Sequence, residues 1–239
     1  MTIDSHRIEP RATAADSGFS LIEVVVAIAL LIIVSTSALY FVSKARYTSS
    51  DQQATQIAAT LASSTMEQVY AVPTKVVAGI SHLYTGRYRA DVTAAFAANS
   101  SIAGVSSTFP VWDPTVTTSS ATAACPTPTV ASIPTSGPLI PLRCTNTVNG
   151  TTYTLTTLIG ACYRAASYAS GTAQDCTAPS TVPTPNPVPA ASTSALIQQI
   201  RVIVIVAWNA RTSCPLAGGC TYSTAALFNT DTDPTWASN

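Results

Sequence analysis

From Phe19 to Val42 the chain is predominantly apolar, and Glu23 is the only charged residue between Gly18 and Lys44. A helix of about 24 residues rises about 36 Å. That crosses a hydrocarbon layer about 30 Å thick with some tilt. After Arg46 the pattern turns amphipathic. Ala54, Ile57, Ala58, Leu61, Ala62, Met66 and Val69 recur at three- and four-residue steps, with Asp51, Gln52, Gln56, Ser63 and Gln68 between them. This is the spacing of a helix that covers a core with one face. No Pro or Gly interrupts Phe19 to Val72, and Pro73 supplies a stop. The pattern predicts one continuous helix of about 50 residues, about 75–80 Å long. A compact domain has no use for that length.

Beyond the helix the period changes to two. IRVIVIVAW (Ile200 to Trp208) is apolar on both faces: Val202, Val204 and Val206 point one way, Ile203, Ile205 and Ala207 the other. Such a strand is central, with cover on both sides. TYSTAALF (Thr221 to Phe228) is placed to return antiparallel beside it. Asn149-Gly150, between LIPLRCTNTV and TTYTLTTLIG, is a two-residue hairpin signal that sets Cys144 opposite Leu155. The predicted fold is α+β: a long N-terminal helix, transmembrane and then amphipathic, packed on an antiparallel sheet of about four strands. Asp113 to Pro138 and Thr177 to Ser194, rich in Thr, Ser, Ala and Pro, read as loops or extended spacers.

Composition narrows the environment. Eleven Lys and Arg balance eleven Asp and Glu, so no strongly basic surface points to nucleic acid; Lys75, Arg87 and Arg89 are the one candidate for a short electropositive stripe. All six cysteines (Cys125, Cys144, Cys162, Cys176, Cys214 and Cys220) follow the helix. An even number, all on one side of the apolar run, points to disulfides and an oxidising location. Zinc is disfavoured, because the chain has no CxxC and His82 is far from any cysteine pair. The Asn149-Gly150 register argues against Cys144–Cys162. Local pairing is the economical choice among the fifteen: Cys125–Cys144, Cys162–Cys176 and Cys214–Cys220. Asn99-Ser100-Ser101 and Asn149-Gly150-Thr151 match glycosylation sequons, a weak signal.

Glu23 is the residue that needs an explanation. A carboxylate at the centre of a membrane helix costs about 3 kcal/mol on insertion scales. Near the end the cost is lower, and the sequence shows no local group to offset it. An ordinary signal anchor leaves this charge without a role. A cleaved signal peptide, using Ser35-Thr36-Ser37-Ala38, calls for a shorter apolar core and a basic flank, whereas the flank here is mixed in sign. Gly18-Phe19-Ser20-Leu21-Ile22-Glu23, after a polar leader and before a long apolar helix, resembles the N-terminal signal of type IV pilins and pseudopilins. The resemblance covers roughly residues 16–72.

That resemblance implies cleavage after Gly18 by a membrane prepilin peptidase and N-methylation of the new N-terminal Phe19. It implies assembly in which Glu23 pairs with the terminal amine of a neighbouring subunit. The implied partners are the peptidase, other pilin subunits, an assembly platform protein and an ATPase, at the inner or plasma membrane. The chain then divides into a leader (1–18), a transmembrane and assembly half-helix (19–43), an amphipathic half-helix (44–72) and an exported disulfide-containing β domain (73–239). The helix-breaking proline of many major pilins is absent from the membrane half. The loop insertions suggest a minor subunit.

Nothing in the chain suggests catalysis. GxxxxGK[ST], GxSxG and HExxH are all missing, no cofactor is implied, and His82 is a poor candidate for a general base. The reading is a structural filament subunit. The alternatives are an adhesin-like module displayed by such a filament, with the Pro/Thr loops or the Cys214–Cys220 loop making contact, and an unrelated signal-anchored surface protein.

Overall fold

The computed structural model describes residues 20–72, 76–77, 80–81, 83–119, 123–125, 140–165, 176–179, 195–209, 214 and 219–229. The chain falls into two units, Met1–Ser49 and Ser50–Asn239.

Helix α1, Leu21–Ala71, is 51 residues long. It ends just ahead of Pro73, where the amide of Val72 donates to the Val69 carbonyl. In the first unit its apolar side chains are exposed all round, from Leu21 to Val42. In the second unit one face is covered. Ala58, Ala62, Met66 and Val69 are buried, with Ala54, Ile57 and Leu61 packed at the margin. These seven positions are the ones the amphipathic spacing picks out. Burying Met66 or Val69 contributes roughly 1.5–3 kcal/mol each.

The rest of the second unit is a sheet with helical cover. In chain order it comprises β1 (Val76–Val77), β2 (Ile80–Ser81), α2 (Arg89–Ala98), β3 (Phe109–Pro110), β4 (Ala123–Ala124), β5 (Arg143–Val148), β6 (Thr151–Ala165), β7 (Leu196–Trp208) and β8 (Cys220–Asn229). β1 and β2 pair by themselves. The main sheet runs β4-β5-β6-β7-β8, with β3 also on β6. Its four long strands, β5 to β8, form an antiparallel meander. The short β4 joins β5 in parallel.

The β5–β6 turn has positive φ at both Asn149 (51°) and Gly150 (76°), as a tight turn matched to strand twist requires. Cys144 duly faces Leu155. At the far end of β6, β3 comes close because Gly160 has no side chain; a Cβ there would collide with the Phe109 carbonyl.

β7 has two cores, one on each face. Ile200, Val202, Val204, Val206 and Trp208 join the cluster that holds the buried face of α1. Ile203 and Ile205 join Leu158, Val92, Ala95, Phe96, Val105 and Trp112. The second cover is α2, which the sequence reading missed. Its signal was present in RADVTAAFAA: Val92, Ala95 and Phe96 sit at i, i+3 and i+4 among good helix formers.

Candidate functional site

Gly18, Phe19 and His82 lie outside the described residues; Glu23 does not. The carbonyl of Ser20 accepts from the amides of Glu23 (2.9 Å) and Val24 (3.3 Å). Helix α1 thus begins immediately after Ser20, with Glu23 in its first turn. Ser20 and Glu23 therefore have the spacing of a capping box, and the carboxylate sits at the positive end of the helix dipole. A charge so placed gains about 0.3–1 kcal/mol. This corrects the expectation that nothing local offsets Glu23: the first turn itself favours an acid there.

The helix that follows has the chemistry of an apolar rod. Its most apolar 18-residue window has no buried residues, and its length and composition suffice for it to cross a membrane. Three of its hydroxyls bond back to the helix's own carbonyls. Thr36 Oγ1 donates to the carbonyls of Ile32 (2.9 Å) and Ile33 (3.0 Å), Ser37 Oγ to Ile33 (2.9 Å) and Ser43 Oγ to Leu39 (2.9 Å). Bonds of this kind let Ser and Thr sit in a membrane helix without presenting an unpaired donor to lipid. Ser35-Thr36-Ser37-Ala38 is continuous helix.

Residues 14–39 match the family model described as the prokaryotic N-terminal methylation motif. This stretch is the type IV pilin-type prepilin signal. The prepilin signal takes in Gly18, Phe19 and Glu23 and all but the last three residues of the apolar run. No curated protein and no solved structure matches the chain. The pilin-like α+β architecture of the second unit is read from its own elements.

Three charged residues of that unit, Arg87, Asp113 and Arg201, are buried and bonded within the fold. Arg87 is buried, so the proposed stripe with Lys75 and Arg89 does not form a surface; Lys75 itself lies outside the described residues. Arg87 Nη1 donates to the Thr157 carbonyl (2.7 Å) and Nη2 to that of Ile140 (3.0 Å), which ties the α2 approach to the sheet. Burial pushes its pKa down to about 9, and the guanidinium stays charged at neutral pH.

Asp113, placed by sequence at the start of a loop, is also buried. Its Oδ2 accepts from the Gly86 amide (2.8 Å), and its Oδ1 from the Thr115 amide (2.9 Å) and hydroxyl (2.6 Å). Burial opposes the charged form, but these three bonds outweigh it and hold the carboxyl below its ordinary range.

Arg201, on the α2 side of β7, clamps the 104–108 turn. Nη1 donates to the Gly104 carbonyl (2.9 Å), Ser107 Oγ (2.7 Å) and Thr108 Oγ1 (3.1 Å), and Nη2 donates to the Cys176 carbonyl (2.7 Å). An isolated Arg in an apolar strand was the sequence signal for this clamp.

Cysteines join Cys125 to Cys144, Cys162 to Cys176 and Cys214 to Cys220. The first ties β4 to β5, the second anchors the residues after β6, and the third closes the approach to β8.

Proposed function

We propose that this chain is a prepilin that becomes a structural subunit, of the minor type, in a type IV pilus-like filament. The observation that carries the reading is the prepilin signal running directly into a helix whose apolar side chains find no cover within the subunit. In this reading prepilin peptidase cuts after Gly18 on the cytoplasmic side, Phe19 is methylated, and residues 19–43 hold the subunit in the membrane. Residues 44–72 and 73–239 are exported, and the subunit then docks with other pilins through an assembly platform and its ATPase. Its role is structural, with no catalysis of its own.

Glu23 acts at the docking step. A first-turn carboxylate is tolerable at the helix end and is fully paired when a neighbour's Phe19 amine approaches. Removing one member of a buried pair costs about 3–5 kcal/mol, so a subunit out of register is penalised. Mass spectrometry of the membrane-extracted protein tests the processing: a mature start at methylated Phe19 is expected, and Gly18→Val should leave the full-length form. Glu23→Ala should insert and be cleaved, yet be depleted from sheared filaments relative to membranes. Glu23→Gln should fall between the two. A wild-type start at Met1 or near Leu39 overturns the prepilin reading. Equal filament ratios for wild type and Glu23→Ala remove Glu23 from the docking step.

A further inference from the structure

The two edges of the main sheet are treated differently. On the β5 side the edge is short and partly covered. β5 has six residues, β4 pairs with Cys144 and Thr145, the Cys125–Cys144 disulfide ties that strand down, and β3, with Pro110, covers β6 where β5 has ended. On the other side lies β8, ten residues long. Among the described residues no strand pairs with its outer edge.

β8 also lacks the usual protections of an open edge. Natural sheets guard such edges with charge, proline, bulges or brevity. CTYSTAALFN contains no Lys, Arg, Asp, Glu or Pro. Its pairing with β7 runs one to one from Gln199↔Asn229 to Trp208↔Cys220, with no bulge. The strand is held firmly in place, since Phe228 is buried and its ring lies 4.8 Å from that of Tyr70 on α1. On the other face, Thr221, Ser223, Ala225 and Leu227 are exposed. The outer edge is therefore a regular, uncharged row of main-chain donors and acceptors. In an antiparallel ladder about half of its residues point these groups outward.

We propose that the outer edge of β8 is a docking surface for an extended, uncharged strand from a neighbouring subunit. Only extended backbone matches an alternating row of amides and carbonyls. A strand bearing charge at the junction would bring it against Ala225 and Leu227 without a counter-charge on β8. The neighbouring subunit as source rests on the filament reading above. The contact gives the exported half of the subunit its own docking specificity, separate from the one at Glu23.

Hydrogen exchange on the full-length mature protein tests this, comparing detergent-solubilised subunits with sheared filaments. Peptides spanning Cys220 to Asn229 should contain amides that exchange at least about tenfold more slowly in filaments. Equal exchange in the two states overturns the proposal, because the edge is then closed within the subunit or unused in the filament.

Ser223→Pro and Thr224→Pro add a second readout. Neighbouring amides alternate in direction, so one proline breaks a bond to β7 and the other removes an outward donor. The variant that keeps the wild-type melting temperature should be depleted from filaments at least about fivefold; filament levels equal to wild type overturn the proposal. If both variants melt early, the exchange measurement decides. A wild type that is never found in filaments refutes the subunit reading and this occupant together. Wild-type incorporation without a change in β8 exchange refutes the edge proposal alone.

Discussion

Leu31 and Val34 are each 67 % exposed, whereas Ala58 and Ala62 are fully buried, although all four belong to one helix. In the first unit, α1 carries large aliphatic side chains on every side, and all of them are exposed. In the second, small and medium apolar side chains fall on one stripe, and a sheet lies against it. A helix apolar all round seeks an apolar medium or other helices; a helix with one apolar stripe seeks a single partner surface. The difference separates the work of the two halves. One half presents its apolar side chains outward, and the other holds its own domain together.

Introducing a carboxylate into each half should break this contrast most sharply. Ala62→Asp buries an unpaired charge between helix and sheet, at a cost of several kcal/mol, and should abolish the cooperative melt. Ile33→Asp should leave that melt unchanged and instead release protein from the membrane fraction, since insertion is penalised by about 3 kcal/mol. All three tryptophans lie beyond Ser50, so fluorescence-detected melting reports on the second unit alone. A shared loss of melting in both variants would mean that the halves are not energetically separate.

Next in size is the disulfide that belongs to one unit only. Cys162 and Cys176 close a loop with a separation of 14 residues, for which the chain-entropy estimate is about 3 kcal/mol. Cys162→Ser with Cys176→Ser should lower the melting temperature of the second unit by roughly 6–12 °C. Membrane retention, which depends on the first unit, should not change.

Asp113 gives a smaller and pH-dependent effect. Its folded carboxyl titrates below its ordinary value, so its contribution is present above the unfolded pKa of about 4 and is lost as pH falls through the folded one. Asp113→Asn should cost about 1–2 kcal/mol at neutral pH. In urea titrations the gap between variant and wild type should stay constant above about pH 5 and narrow in more acid solution. A gap that widens on acidification would contradict the hydrogen-bond assignment.

The smallest expected effect is none. Leu31→Ala should shift the stability of the second unit by less than about 0.5 kcal/mol, whereas Met66→Ala should cost about 2–5 kcal/mol.

The elements that were legible from sequence are those whose signal is local and repeated. The apolar run, the amphipathic stripe from Ala54 to Val69, the Asn149-Gly150 turn and the double-faced β7 strand each follow from period or from a backbone conformation that few residues adopt. Less legible were residues whose role depends on distant partners. Arg87 and Arg89 looked alike in sequence, yet one is buried against two carbonyls and the other is exposed. Asp113 does stand in irregular chain, but its burial and its bonds to Gly86 and Thr115 could not be read from its neighbours in sequence. Helix α2 carried a usable signal that was overlooked: a ten-residue helix shows its apolar face only in Val92, Ala95 and Phe96.

From sequence alone came the long helix with its change of character near Ser50, the carboxylate at Glu23, the antiparallel sheet and the prepilin signal. These rest on covalent order, side-chain period and turn conformation, which act over a few residues. Tertiary structure alone decided which side of β7 each core occupies, which arginine is buried, and which sheet edge, among the described residues, has no further strand beside it. Those outcomes depend on segments far apart in the chain meeting in space, where burial turns a carbonyl, an amide or a charge into something that must find a partner.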